Sequence, residues 1–216
     1  MVVHIISLGL TAFVLYLSAP GTDLFSWHPS LMTVAFALLL SQAIVLFSPE
    51  SSLLLNSARS DKIQLHWILN LFAFFGTMGG FLAIYLNKEI AGKNHFTTWH
   101  GRFGLAAVIG TMITALWGLG AKYSSSLRSI MKPINIKLYH ATFGLIVFCL
   151  GMSAISLACY SNWVRRRVEG YFWRIMFFTP IILAVCIARQ VTQSYLPRVA
   201  KPEAPNSEIQ ERTKKK

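Results

Sequence analysis

Charge is scarce in this sequence: 13% of its 216 residues are Asp, Glu, Lys or Arg, where a soluble domain carries about 25%. With 54% of the residues hydrophobic, water is excluded as the main solvent of the chain. Acidic residues are scarcer still, eight in all, and none falls inside a long apolar run. That removes the carboxylate boxes on which di-iron and metalloprotease zinc sites depend, such as Glu-x-x-His or His-Glu-x-x-His. Cysteine is limited to Cys149, Cys159 and Cys186, with no C-x-x-C spacing, so neither a zinc knuckle nor a redox dithiol is indicated. The three read as packing residues. No nucleotide-binding motif is found either. The formal charge of +12 is spread over many short segments instead of one stripe, and nucleic acid is not the expected partner.

What the chain has in abundance is long apolar runs. Six can be marked off, at 2–19, 28–47, 66–86, 100–120, 140–160 and 173–195, each close to the roughly 20 residues that cross a bilayer core about 30 Å thick. Backbone in lipid must satisfy its own hydrogen bonds, which only helices and closed barrels do, and barrel strands are shorter and alternate. The expected fold is therefore an all-α membrane protein with six transmembrane helices. The first run lacks a basic leader segment and an evident cleavage site, so it reads as a retained span. One membrane domain covers 1–196. Residues 197–216 combine proline and charge with few apolar side chains, a composition that cannot form a core, and read as a disordered basic tail ending in Lys214, Lys215 and Lys216.

Lys and Arg set the orientation, because short cytoplasmic loops collect them. One side holds Arg59, Lys62, Lys122, Arg128, Lys132, Lys137 and six tail residues; the other holds Lys88, Lys93, Arg165, Arg166 and Arg167. Twelve against five places both termini in the cytoplasm.

Four of the six histidines, His28, His66, His100 and His140, begin four successive apolar runs, the second to the fifth. Successive helices run in opposite directions, so these residues alternate between faces. His28 and His100 fall at the non-cytoplasmic level and His66 and His140 at the cytoplasmic one. Trp27, Trp67, Trp99 and Tyr139 stand beside them, as suits the membrane interface. A pair of imidazoles is the donor set of a metal whose other positions are filled, and haem iron, with four porphyrin nitrogens, leaves two axial sites. One haem per pair follows. The plainer alternative is that the histidines only sit in the interface. His100 and His140 share the pattern H-x-x-F-G-L, which puts Gly104 and Gly144 one turn below each ring, where a flat macrocycle needs room. Arg102, half a turn inside its span, is a candidate for a haem propionate or for snorkelling to the interface. His95, in the loop before the fourth span, is a candidate contact for a substrate or for ordinary water.

Iron ligated on both sides has no open position, so electron transfer is its expected use. Histidines one turn inside each face put the two irons about 20 Å apart in depth. Arg59, Lys62 and Lys137 flank the cytoplasmic pair and would attract an anionic reductant, although topology alone also places basic residues there. Two other readings stand beside this one: a non-redox transporter or scaffold, and a haem subunit that passes electrons to a partner protein.

The four histidines, together with Trp27-His28-Pro29, Lys137-Leu138-Tyr139-His140 and the six-span layout, resemble the cytochrome b561 family over nearly the whole chain. The segments Leu24-Phe25-Ser26-Trp27-His28-Pro29, Phe47-Ser48-Pro49-Glu50-Ser51-Ser52-Leu53-Leu54 and Ser194-Tyr195-Leu196-Pro197-Arg198 are similar to its small stand-alone animal branch. The resemblance implies a central bundle of helices 2–5 holding two haem b groups, one ligated by His28 and His100, the other by His66 and His140. It further implies ascorbate as the cytoplasmic donor, monodehydroascorbate or ferric iron as the acceptor, and residence in the endoplasmic reticulum or cytoplasmic vesicles. A second copy of the chain, in a homodimer, stands as a candidate partner.

Overall fold

The computed structural model describes residues 1–199, and every regular element among them is a helix. In chain order these are α1 (Val2–Ser18), α2 (Trp27–Val45), α3 (Arg59–Ile90), α4 (Trp99–Lys122), α5 (Pro133–Ala158), the single turn α6 (Asn162–Arg165) and α7 (Gly170–Val199). Helices α2, α3, α4, α5 and α7 are long and apolar enough to cross a membrane. With 17 residues, α1 is at the short end of the spanning range. The six expected spans are thus six helices. Most of the expected tail, residues 200–216, lies outside the described residues; α7 runs through its first three positions to Val199.

Local chemistry sets several helix ends. The Thr98 hydroxyl accepts the N–H of Gly101 at 3.1 Å and starts α4, satisfying one of the donors a helix leaves unpaired at its first turn. Pro133 opens α5, where its missing N–H costs nothing. Ala19 closes α1 in the left-handed region, φ 42°, its N–H donating to the Leu15 carbonyl, a common helix stop.

Two helices begin well before their apolar runs. His28 and His100 are the second residues of α2 and α4, but His66 and His140 are each the eighth residue of α3 and α5. Hydrophobicity marks where lipid begins, whereas a helix continues as long as its backbone bonds and first-turn charges suit it. Asp61 in the first turn of α3 faces the positive end of the helix dipole.

Helices α2 to α5 form the bundle, with α4 and α5 packed most extensively; α1 lies on α2 and α7, and α7 on α5. Between residues 34 and 40 α2 widens into a π-helix, a rare form associated with functional sites. Its Phe36 ring lies where a side chain on Gly151 of α5 would be, so the bare backbone there admits the aromatic wedge. Phe148, Met152, Leu183 and Ile187 are fully buried around it. The outer faces carry exposed Phe72, Phe75, Leu116 and Val185, the arrangement expected when the surrounding solvent is lipid.

Candidate functional site

The helical hairpins bring the four histidines together in the expected pairs. The ring centres of His28 and His100 are 6.0 Å apart with planes at 80°, and those of His66 and His140 are 6.2 Å apart at 82°. A metal held between two imidazole nitrogens, at about 2 Å from each, sets ring centres about 6 Å apart. Both pairs meet that distance without further movement. Among the described residues no three His, Cys, Asp or Glu side chains converge, so a metal here finds two protein donors per level, the number that haem iron requires.

Three of the rings are oriented by backbone. The Nδ1–H of His28 donates to the Gly80 carbonyl at 3.0 Å, that of His66 to Ala43 at 2.9 Å and that of His100 to Ala154 at 2.8 Å. Such a bond keeps the proton on Nδ1 and leaves Nε2 with its lone pair for a metal. The bonds also tie the levels together. Along α3, His66 and Gly80 are fourteen residues apart, and along α5 so are His140 and Ala154. At 1.5 Å per residue the two levels are separated by about 21 Å.

His140 is held differently. Its Nδ1 is buried with no partner among the described residues, and its ring lies close to Gly118, where a β-carbon would come within 3.3 Å of Cε1. Gly104, expected to leave room, has open space over it; a β-carbon on Gly144 would meet Thr114 at 3.5 Å.

A cavity of about 1010 Å³ extends from the His66/His140 pair and is lined by Arg59, Lys62, Lys122 and Lys137, with Asn70 and Gln190 as further polar groups. Its size is at the upper end of the roughly 300–1,000 Å³ of small-molecule sites. Because His66 and His140 sit two turns down their helices, the first turns of α3 and α5 form its walls. The expected residues Arg59, Lys62 and Lys137 are therefore brought together here, and Lys122 joins them, its Nζ 4.9 Å from the ring centre of Trp67. Sequence reasoning used Lys122 only to count charge. Its place at the end of the span antiparallel to the one beginning at His140 was the available signal. Gly118 was missed for the same reason, as it lies one turn before that end.

The remaining candidates lie at the opposite level. Arg102 is exposed, its Nε donating to the Phe96 carbonyl at 3.3 Å and its guanidinium 5.3 Å from the Trp99 ring centre. His95 pairs with Glu89 at 2.8 Å and stacks on Tyr85 at 4.5 Å between ring centres. His95 is thus held in place on the face nearer His28 and His100.

Comparison with known proteins extends over most of the chain. The chain is 40% identical over 195 residues to transmembrane reductase CYB561D2 of Bos taurus and 39% identical to that of Homo sapiens, covering 90% of this chain and 87% of the relative in both cases. It is 28% identical over 142 residues to the lysosomal membrane ascorbate-dependent ferrireductase CYB561A3 of Mus musculus, covering 62% of this chain and 55% of that protein. Residues 27–165, from the tryptophan before His28 to the end of α6, match the family model for eukaryotic cytochrome b561, and it is to this haem-binding membrane family that the chain belongs.

Proposed function

We propose that the chain is a di-haem transmembrane reductase, moving electrons from cytoplasmic ascorbate to monodehydroascorbate or ferric iron on the opposite face. The observation that carries this reading is the presence of two histidine pairs with ring centres about 6 Å apart, stacked about 21 Å apart in depth. His28 with His100, and His66 with His140, would hold the two haems. When bound, haem b would supply a one-electron couple.

The rest of the work falls to the protein. Carbonyls of Gly80, Ala43 and Ala154 hold three imidazoles in the ligating tautomer. Arg59, Lys62, Lys122 and Lys137 make the cavity beside His66 and His140 attractive to an anion, and ascorbate is a monoanion of suitable size. The names of the relatives, transmembrane reductases and an ascorbate-dependent ferrireductase, support a reductase reading. On the other face, His95 with Glu89 is a candidate contact for the acceptor, and Arg102 for a propionate. The basic face is the cytoplasmic one, with both termini on it, in an endoplasmic reticulum or vesicle membrane.

The test is an absorption spectrum of the purified protein in detergent, before and after ascorbate, with haem quantified per chain. Two haems per chain and a sharp low-spin α band after ascorbate are expected. A folded but colourless protein would overturn the reading and leave a transporter or scaffold.

A further inference from the structure

Helix α1 lies outside the stretch that matches the family model, 27–165, yet it places polar side chains where an outer membrane helix would be expected to be apolar. His4, Ser7 and Thr11 recur on one helical face and are all buried. Two of them reach α2. The Ser7 hydroxyl donates to the Ala37 carbonyl at 2.5 Å, inside the π segment, and Ser41 donates to the same carbonyl at 2.7 Å. His4 lies between α2 and the turn that follows it: Nδ1 is 2.7 Å from the side-chain oxygen of Gln42, and Nε2 is 2.7 Å from the Ser51 carbonyl. The Ser51 carbonyl takes a ring N–H. The Gln42 side chain, whose Nε2 donates to the Ser7 hydroxyl at 3.3 Å, meets the other ring nitrogen through its oxygen.

Gln42 directly precedes Ala43, whose carbonyl accepts the Nδ1–H of His66. Phe47, in the next turn, packs on the His66 ring at 5.3 Å between centres. The two anchors of His4 thus bracket the segment that orients one ligand, and a π-helix upstream makes the register of that segment a matter of choice, since a widened turn displaces everything after it by one residue.

We propose that His4 is a positioning residue for the His66/His140 site, holding the end of α2 in the register at which Ala43 meets His66. The proposal rests on the di-haem reading above. An Nδ1–H bond to a carbonyl strengthens an imidazole as a donor and so favours ferric iron; slackening the bond raises the midpoint of that haem.

The experiment is a redox titration of the whole protein, followed at the α band and by low-temperature EPR of the ferric form, for wild type, His4→Ala, His4→Gln and Thr11→Val. Thr11 is also buried on α1, but its hydroxyl donates only to Ser7 of the same helix. The expected result is an upward shift of one midpoint and a change in one low-spin signal for His4→Ala, a smaller shift for His4→Gln, and wild-type behaviour for Thr11→Val. Unshifted midpoints in His4→Ala would overturn the proposal, as would loss of both haems together from both His4 variants, which would make His4 a folding residue. A wild type without haem would instead overturn the di-haem reading itself.

Discussion

Three of the four imidazoles donate to a backbone carbonyl and His140 does not, so the four histidines are not interchangeable. His28→Ala is expected to remove one haem and spare the other, and His140→Ala to do the converse, each leaving about one haem per chain by pyridine haemochrome assay. Loss of both from either change would show misfolding instead. Gly118 offers a sharper test, because it ligates nothing. Its missing β-carbon makes room for the His140 ring, and Gly118→Leu should empty the His66/His140 site alone. Gly120→Ala is the control, since a β-carbon there meets only Leu127 at 3.7 Å. The histidines were legible in the sequence because their spacing alternates with the spans. Gly118 was not, since a contact between antiparallel helices depends on a register that the chain does not spell out.

Among the helices, the extents were the less predictable part. Apolar runs located all six, but the π segment of α2 and the two extra turns of α3 and α5 left no hydrophobic trace. Those turns matter because they carry charge into the cavity. Replacing Lys62, Lys122 and Lys137 together by Gln should slow reduction by ascorbate at least several-fold at low salt and flatten its dependence on ionic strength, as read by stopped-flow absorbance. An unchanged rate would remove these residues from donor binding. The π segment makes a different prediction. Gly151→Ala forces a methyl group into the Phe36 ring, and overpacking of this kind costs about 1–3 kcal/mol; thermal denaturation followed at the Soret band should show a lower midpoint.

For the whole molecule, the decisive property is that the two histidine pairs stand at two levels about 21 Å apart. In proteoliposomes loaded with ascorbate, an external ferric chelate should be reduced only when both histidine pairs are intact, and His28→Ala or His140→Ala alone should abolish the flux. Retained flux in either variant would mean a leak or another route. The bundle of α2 to α5 was foreseen from the resemblance to the cytochrome b561 family, and the pairing of its histidines from their order. The attachment of α1 through His4 was not, for a histidine outside the alternating set gives no sign from spacing that it is buried at a helix contact.

The unequal depth of the pairs has a consequence for what each end can admit. His28 and His100 stand in the first turn of their helices, near the rim, while His66 and His140 lie at the bottom of a recess two turns deep. Under the proposed direction of transfer, the recessed end would act as a sieve, passing only reductants small enough to descend, and a protein donor would be kept at a distance. The other end would, on the same proposal, discharge by simple collision, and a bulky complex would be served there as well as a bare ion.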